Sequence, residues 1–476
     1  MKTQKFVYQA IAFFLILLLV ILGIGVIGVV VILTVNPDFQ FELRLPGQKR
    51  EFDPADIAPV ETTFVSGEGT FSSVKSSWPN FRGPNLDAIS QETVKLRNTW
   101  PENKPNLLWQ RPAGDGYASA AIRNGAVYLL DYDAENNRDV LLCLSLDDGR
   151  EIWQRHYPVK VTPSHGVSRT IPAVTEKHCI TIGPKLHVMS VDPISGDLQW
   201  LINLSAQYRA EVPEWYAGQC PMVLQDDQGR DILILGVGGE NVLMAAIDCE
   251  TGEEIWQLPN SFGWTPQTHS TPMPMMLDGK PTIVYCGKGG VIGVDFQTGN
   301  VLWSNTDWKI GIATCPSPLV LPDNRIFFCG GYNAGALMMQ VVKKGNSYEA
   351  QTLYKLRAKV FSSTQQTPVF HENHIFGIRQ VDKLMVCLDL NGKVVWESRG
   401  QGKFGDGPYM LADGKFLIFD DFGTLTQIEA TSAGYRKISE TRVFDGHDAW
   451  GPFALAEGRL FARSFDEVAC VDMREP

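Results

Sequence analysis

Val191-Asp-Pro-Ile-Ser-Gly196-Asp-Leu-Gln-Trp200 is one copy of a pattern that recurs along this chain. An apolar strand ends in Asp, a turn ends in Gly, and Trp follows four residues after that Gly. The other copies are Ile247-Asp248 with Gly252 and Trp256, Val294-Asp295 with Gly299 and Trp303, Leu388-Asp389 with Gly392 and Trp396, and Gly149 with Trp153, where Ser145 replaces Asp. Glycine suits a hairpin turn with positive φ, Asp bonds turn amides, and Trp provides an apolar plate between sheets. The pattern therefore predicts repeated antiparallel sheets.

Two more copies are degenerate: Val341 to Tyr354 keeps the strand, and Ile428-Glu429 with Gly434 keeps the turn. The Trp position recurs every 42 to 56 residues, which is room for four strands and their loops. Helical repeats are disfavoured because the segments alternate and are rich in β-branched residues. We therefore expect an all-β, eight-bladed β-propeller over residues 77–476, or seven blades if 341–354 is only an insertion.

The two ends of the repeat region complement each other. The last strand, Glu467 to Asp472, has the Asp but no following Gly and Trp, while the segment ending at Trp109 has the Trp strand without the rest. Joining the two in one blade would cover sheet edges that are otherwise exposed. The sequence predicts that this blade closes the ring.

The amino-acid composition of the chain limits the classes of molecule that it is expected to bind. Of 476 residues, 42 are Lys or Arg and 53 are Asp or Glu, a net charge of −11, and 44% are hydrophobic. A chain of this kind buries a sizeable core. Its acidic balance and the lack of a basic stripe disfavour nucleic acid as a partner.

The N-terminal region is predicted to anchor the protein. Residues 10–35 are almost entirely apolar, long enough to cross a bilayer, and no small-x-small cleavage site follows them. Lys2 and Lys5 precede the run, which favours residues 1–9 in the cytoplasm and an exported body. We expect a signal anchor contacting lipid at 10–35, then a flexible tether at 36–76; the alternative is a long signal peptide that is removed.

The repeat resembles the tryptophan-docking repeat of quinoprotein propellers. The opening Trp78-Pro-Asn-Phe-Arg-Gly-Pro-Asn85 resembles the start of bacterial PQQ-like repeat proteins, a family that includes BamB-like proteins and quinoprotein alcohol dehydrogenases. The resemblance covers residues 77–476. It implies an eight-bladed ring, but one propeller fold serves many functions, so it does not imply that the quinone is bound.

PQQ-dependent catalysis is the alternative function that the resemblance raises. The dehydrogenases of the superfamily carry an adjacent cysteine pair against the cofactor and a calcium site. No two cysteines are adjacent here, and the closest pair is Cys315 and Cys329. We therefore expect a non-catalytic module without a cofactor; the alternative, left open, is a PQQ-dependent dehydrogenase that oxidises alcohols or sugars and holds PQQ with calcium. No metal site is predicted either, because His371 and His374 flank a predicted hairpin turn at the surface with no cysteine nearby.

Some polar and aromatic residues are not explained by the repeat. They stand just before each predicted innermost strand, where propeller loops open on the central channel. The repeat carboxylates Asp192, Asp248, Asp295 and Asp389 are turn caps instead. The predicted ligand-binding residues are Tyr117, His165, Arg169, Trp215, His269, Gln365, Asp406, His447 and Trp450.

A ring of mixed polar and aromatic side chains at a channel mouth is typical of a binding surface. The alternative for each residue is that it only lines a hydrated channel. The sequence thus predicts a single-pass, membrane-anchored propeller on the extracytoplasmic, periplasmic side of the cell membrane. It would act as a binding or scaffold module for a protein of the cell envelope or a small ligand.

Overall fold

A computed structural model describes residues 56–162 and 165–476. The predicted cytoplasmic tail at 1–9, the anchor at 10–35 and the first part of the tether lie outside these residues. Within the described ranges, no helix has the length and apolar character needed to cross a membrane. The one α-helix there is α1 (Leu204–Tyr208), and a short 3-10 turn spans Pro101–Asn103.

Alternating β-branched and apolar residues form antiparallel strands throughout the described chain. The first half contains β1 (Thr63–Ser66), β2 (Leu107–Pro112), β3 (Ala120–Arg123), β4 (Ala126–Asp133), β5 (Arg138–Ser145), β6 (Glu151–Pro158), β7 (Ala173–Val174), β8 (Cys179–Ile182), β9 (His187–Val191), β10 (Leu198–Asn203), β11 (Met222–Gln225), β12 (Asp231–Gly236), β13 (Val242–Asp248), β14 (Glu254–Pro259), β15 (Met273–Leu277), β16 (Lys280–Gly287), β17 (Gly290–Asp295) and β18 (Val301–Asn305). The second half contains β19 (Leu319–Leu321), β20 (Arg325–Gly330), β21 (Gly335–Lys344), β22 (Ser347–Leu356), β23 (Val369–His371), β24 (His374–Arg379), β25 (Leu384–Asp389), β26 (Val394–Glu397), β27 (Tyr409–Ala412), β28 (Lys415–Phe419), β29 (Thr424–Glu429), β30 (Lys437–Arg442), β31 (Ala454–Ala456), β32 (Arg459–Arg463) and β33 (Glu467–Asp472).

In the described residues these strands form eight sheets, the blades of a propeller. Blade 1 is β3–β6 with β1 outside β6, blades 2 to 7 are β7–β10, β11–β14, β15–β18, β19–β22, β23–β26 and β27–β30, and blade 8 is β31–β33 with β2. The first strands of neighbouring blades contact each other, for example β3 with β7 and with β31, and so surround the central channel. The eight-bladed prediction is confirmed, and the degenerate copy at 341–354 is part of blade 5.

The predicted closure by both ends of the repeat region is also confirmed. Strand β2 pairs antiparallel with β33, so that Trp109 lies opposite Cys470 and Gln110 opposite Ala469. Arg463 of blade 8 also donates hydrogen bonds to the carbonyls of Gly116 and Ala118, which precede blade 1. Blade 8 is therefore completed by a strand that precedes blade 1 in the chain, and the side chain of Arg463 bonds it to the segment that leads into blade 1.

The repeat residues form the contact between successive blades. The indole N–H of Trp153 donates to the Ile194 carbonyl in the next blade (3.1 Å), and the ring lies so close to Gly196 that a Cβ there would meet it at 2.8 Å. Gly196 has φ 73°, a second reason for glycine at this turn. The same indole bond links Trp109 to Leu146, Trp200 to Cys249, Trp256 to Phe296 and Trp396 to Thr431.

Trp303 is the exception among these indoles. It is buried, yet its indole nitrogen has no hydrogen-bond partner among the described residues. The next blade is the one with the degenerate repeat, where β21 and β22 continue into a tight hairpin at Lys344–Ser347 instead of the Asp-to-Gly turn. The turn that would supply the accepting carbonyl is therefore missing there.

The Asp residues cap the turns. The Asp192 carboxylate accepts from the backbone N–H groups of Ile194 and Ser195 at 2.8 and 2.7 Å. Asp248, Asp295 and Asp389 accept from their own turns in the same way. Their carboxylates are consequently used in turn structure.

Residues 56–76 do not form the predicted flexible tether. Strand β1 pairs with β6, placing Phe64 opposite Arg155, and Asp56 is buried and ion-paired with Lys185 at 2.5 Å. The tether boundary was wrong because this segment lacks the repeat signature that identified the other strands. Its strand adds to the outer edge of a complete blade, so the propeller unit begins before residue 77.

The segment 78–87, here called the plug, lies across the channel. Pro79 accepts a hydrogen bond from Val174 of blade 2 (2.7 Å), whereas three residues later Arg82 donates to Thr367 and Pro368, which lead into blade 6. Blades 2 and 6 lie opposite each other in an eight-membered ring. The plug therefore spans the channel from one side to the other.

Candidate functional site

The channel contains a cavity of about 380 Å³. Phe81 of the plug lines it, so the plug closes one end. At the other end the rim is open to solvent, where Tyr332 is 47% exposed. The cavity is thus accessible from one face of the ring.

All eight connections that lead into innermost strands contribute to the cavity lining. These are the positions that the sequence predicted. Eight of the nine predicted residues line the cavity: Tyr117, His165, Arg169, Trp215, His269, Gln365, Asp406 and Trp450. His447 does not; its ring stacks on Phe465 with centroids 5.1 Å apart, and Phe465 in turn contacts Tyr117.

Backbone bonds between two loops position Tyr117 and Arg169. The N–H groups of Tyr117 and Ala118 both donate to the Ser168 carbonyl, at 2.7 and 2.8 Å, and Val167 donates back to Asp115. These bonds hold the loops before β3 and β7 side by side. As a result the Arg169 guanidinium lies over the Tyr117 ring, 5.6 Å from its centroid.

An aromatic pair forms the adjoining wall. Tyr117 stacks on Trp450 with ring centroids 5.2 Å apart, and the Trp450 indole N–H donates to Asp421 (2.7 Å). The Trp450 carbonyl accepts from the Gln366 side chain at 3.0 Å. Because the indole N–H and the backbone carbonyl of Trp450 are both hydrogen-bonded, the wall is a fixed apolar surface.

His269 and Cys315 form a neutral pair in the cavity. The Tyr216 carbonyl can only accept, so Nε2–H of His269 donates to it (3.0 Å) and Nδ1 is left to accept from the Cys315 thiol, 3.7 Å away. Burial, reinforced by the charge of Arg169, lowers the pKa of His269 to about 4. Burial raises the pKa of Cys315 to about 12. The pair therefore holds a thiol and an imidazole near pH 7, not a nucleophilic thiolate.

The ring of His269 also explains a glycine in the adjoining loop. A Cβ at Gly218 would lie 2.6 Å from that ring. A larger residue there would push the imidazole into the cavity. Gly218 thereby fixes both the position of His269 and the width of the cavity.

Asp406 is the carboxylate of the lining. Its Oδ2 is 2.5 Å from Nζ of Lys383, so its charge is neutralised by a neighbour. Its backbone N–H donates to Asp421 at 2.7 Å. Asp406 is thus held in place by residues of blades 6 and 7.

Several lining residues were not predicted. Tyr332 and Gln380 lie in turns between the second and third strands of blades 5 and 6, which open on the same face as the predicted loops. Cys315 lies in a predicted type of loop but was not among the predicted site residues. Phe81 carries no spacing signal at all, because the plug is not part of the repeat.

The donor set does not fit the calcium and PQQ arrangement of the dehydrogenases. All nine cysteines lie in the described residues and are free, and the two in the cavity, Cys220 and Cys315, are far apart in sequence. No group of three His, Cys, Asp or Glu side chains in the described ranges is placed to hold a metal ion. Calcium prefers six to eight oxygen ligands.

Comparison with solved structures finds similar chains at low sequence identity. The computationally designed protein Ika8 is 12% identical, covers 77% of this chain and 99% of its own, and has a TM-score of 0.50. BamB from Moraxella catarrhalis is 13% identical over 81% of this chain and 99% of its own, with a TM-score of 0.49. A quinohemoprotein alcohol dehydrogenase from Comamonas testosteroni is 11% identical over 84% and 81%, with a TM-score of 0.43.

No curated protein matches this sequence. A family model described as outer membrane protein assembly factor BamB matches residues 100–256, 143–390 and 231–431. These matches overlap and together cover residues 100–431, more than half of the chain. The protein therefore belongs to this BamB family of PQQ-like repeat propellers.

Proposed function

We propose that the propeller is a non-catalytic binding module whose ligand occupies the central cavity. The observation that carries this is the lining itself: side chains from all eight loops converge on one space that the plug closes at one end. Concave sites with an apolar lining and a few fixed polar groups are typical of ligand binding. A small molecule or the end of a protein chain from the cell envelope fits such a one-sided opening.

The resting states of His269, Cys315 and Asp406 in the cavity support binding over catalysis. His269 is neutral, Cys315 is a thiol and Asp406 is paired with Lys383. General acid–base catalysis works best with a group whose pKa lies near the working pH. The pKa values of His269 and Cys315 are displaced far from neutrality in opposite directions. This arrangement orients a ligand and leaves its bonds intact.

Filling the cavity tests the proposal. Ala313 lines the cavity and is nearly buried, so Ala313→Trp places a large ring where the ligand would lie. We expect wild-type full-length protein, incubated with an envelope extract and washed, to retain a compound or peptide that this variant does not. Mass spectrometry of the released material makes the measurement.

The matched control is Ala433→Trp, which adds the same ring at an exposed turn away from the cavity. This control should retain what the wild type retains. If the cavity-filled variant retains the same material as the wild type, the cavity is not the binding site. Equal unfolding midpoints of the two variants would show that the difference is not due to misfolding.

We further propose that residues 10–35 anchor the module in the cell membrane, with the propeller on the extracytoplasmic side. The support is the apolar run and the lysines that precede it. A chain beginning at residue 56 should be soluble after alkaline carbonate extraction, whereas the full chain should stay with the membrane. Residue 56 is the right start because Asp56 and β1 belong to the propeller. Membrane retention of the shorter chain would contradict the assignment of 10–35 as the sole anchor.

A further inference from the structure

Arg169 is a cation without a counter-ion in the cavity. Among the described residues no carboxylate is ion-paired with it, and the one hydrogen bond from its guanidinium there is from Nη1 to the Val167 carbonyl (3.1 Å). A guanidinium has five N–H donors, so most of its donor capacity remains unused. Arg169 is partly buried, and a cation with reduced access to water and no ion-pair partner is costly. An unpaired guanidinium of this kind is typical of a site that binds an anion.

The groups around Arg169 do not compensate for its charge. One face of the guanidinium is covered by the Tyr117 ring. Cys315 and His269 on the adjacent wall are neutral near pH 7, and Asp406, the carboxylate of the lining, is paired with Lys383. Arg169 therefore leaves the described lining with one unneutralised positive charge.

We propose that the cavity binds the carboxylate group of a monoanionic ligand through Arg169, with the apolar body of the ligand against the Tyr117–Trp450 wall. This inference rests on the proposed binding function and adds the chemical class of the ligand. Arginine suits a carboxylate because two parallel N–H groups match its two oxygens.

The charge and surface of the cavity favour this class over others. A single uncompensated cation matches a single negative charge, whereas a phosphate dianion would be left with excess charge in a partly desolvated space. The stacked Tyr117 and Trp450 rings and the nearby Phe81 and Ile171 offer apolar surface for the rest of the ligand. A carboxylate of this kind is found on small aromatic or aliphatic acids and at the C-terminus of a protein chain.

The test uses full-length protein in detergent and two matched probes, benzoate and benzamide. They have nearly the same shape, but only benzoate carries the charge. Saturation-transfer NMR titration should give benzoate a Kd of about 1 mM, the range expected of a fragment, and benzamide much weaker binding. Arg169→Gln should weaken benzoate about 10- to 100-fold and leave benzamide unchanged, because a hydrogen bond to a charged group is lost.

One control variant and one stability measurement separate binding from structure. Arg111→Gln removes an arginine of β2 that pairs with Glu151 outside the cavity, and should leave benzoate binding unchanged. Arg169→Gln should keep or raise the unfolding midpoint, since it removes a partly buried cation that has no ion-pair partner. A purely structural role for Arg169 would instead lower the midpoint.

A second pair of probes distinguishes the sources of the carboxylate. The tripeptide Gly-Gly-Phe is compared with its C-terminal amide. Tighter binding of the peptide acid than of benzoate supports a protein C-terminus as the ligand, and weaker binding supports a small acid. Either result supports the inference, provided that the acid exceeds the amide.

The two proposals fail in different ways. If benzoate and benzamide bind equally, or if Arg169→Gln retains full benzoate affinity, the carboxylate inference is overturned while cavity binding stands. If none of the four probes binds, the carboxylate inference is overturned, and if the cavity-filled Ala313→Trp variant also behaves as wild type with an envelope extract, the binding proposal is overturned as well.

Discussion

Arg82→Met should lower the free energy of unfolding by about 4–6 kcal/mol. The Arg82 guanidinium donates to the carbonyls of Leu86 (3.1 Å), Asp87 (2.9 Å), Thr367 (2.7 Å) and Pro368 (2.9 Å). The first two bonds fold the plug onto itself, and the last two attach it to blade 6. Methionine fills a similar space but leaves four carbonyls without this donor. Each buried acceptor left unsatisfied costs about 1–3 kcal/mol, less where water or relaxation compensates.

The measurement is urea unfolding of full-length protein, followed by circular dichroism. Burial lowers the pKa of Arg82 to about 10, so the side chain remains charged at neutral pH. Arg82→Lys keeps a charge with fewer donors and should lose an intermediate amount. Arg150→Met, at a side chain that is 61% exposed and bonded to Asp148, should change stability by less than about 1 kcal/mol. A loss below that size for Arg82→Met would mean that the plug is not anchored by this residue.

The repeat made the fold predictable because its residues act between blades. Trp153 packs on Gly196 of the next blade and bonds to Ile194, so the same spacing must recur wherever two blades meet. The degenerate copy in blade 5 could still be recognised as a blade, because its strands keep the alternation of apolar and polar residues although the Asp-to-Gly turn is lost. Trp303 faces that copy, and its indole nitrogen has no hydrogen-bond partner in the part of the chain that the structure describes.

The plug and β1 could not be predicted because their partners are backbone groups. Arg82 binds carbonyls, which every residue possesses, so no complementary residue appears in the sequence at 367 or 368. Strand β1 joins the outer edge of β6, where exposure leaves no buried apolar pattern, and all four of its residues are exposed. Composition alone made both segments resemble a linker.

The residues that line the cavity were predictable where the propeller topology alone determines their position. Connections into innermost strands must open on the channel, and most of the predicted polar residues in them line the cavity. His447 does not line the cavity, because its ring stacks on Phe465 outside the cavity and stays 64% exposed. Tyr332 and Gln380 were missed because turns between second and third strands reach the same face, and only the register of the blades shows how far they extend.

Linking the two ends of the repeat region by a disulfide should stabilise the protein by about 6 kcal/mol in the chain-entropy account. Gln110 of β2 and Ala469 of β33 are Cα partners, so Gln110→Cys with Ala469→Cys places two thiols across the closing strand pair. The bond closes a loop of about 360 residues, and the stabilisation rises with the logarithm of loop length. Unfolding is compared before and after oxidation of the same double variant.

The chain contains a matched control for this closure. Ala245 of β13 and Gln257 of β14 occupy the same two positions within blade 3, with the same residue types, one step from Ala246 opposite Trp256. Cysteines there close a loop of about 13 residues and should stabilise by about 3 kcal/mol. The two disulfides share their local geometry, so the difference of about 3 kcal/mol between their stabilising effects depends on loop length alone. A difference of that size therefore shows that β2 and β33 close the ring. Geometric strain lowers the two stabilisation values alike and leaves the difference between them unchanged.

If the disulfide between β2 and β33 does not form under conditions that form the one within blade 3, or if both stabilise equally, β2 does not close blade 8 in solution.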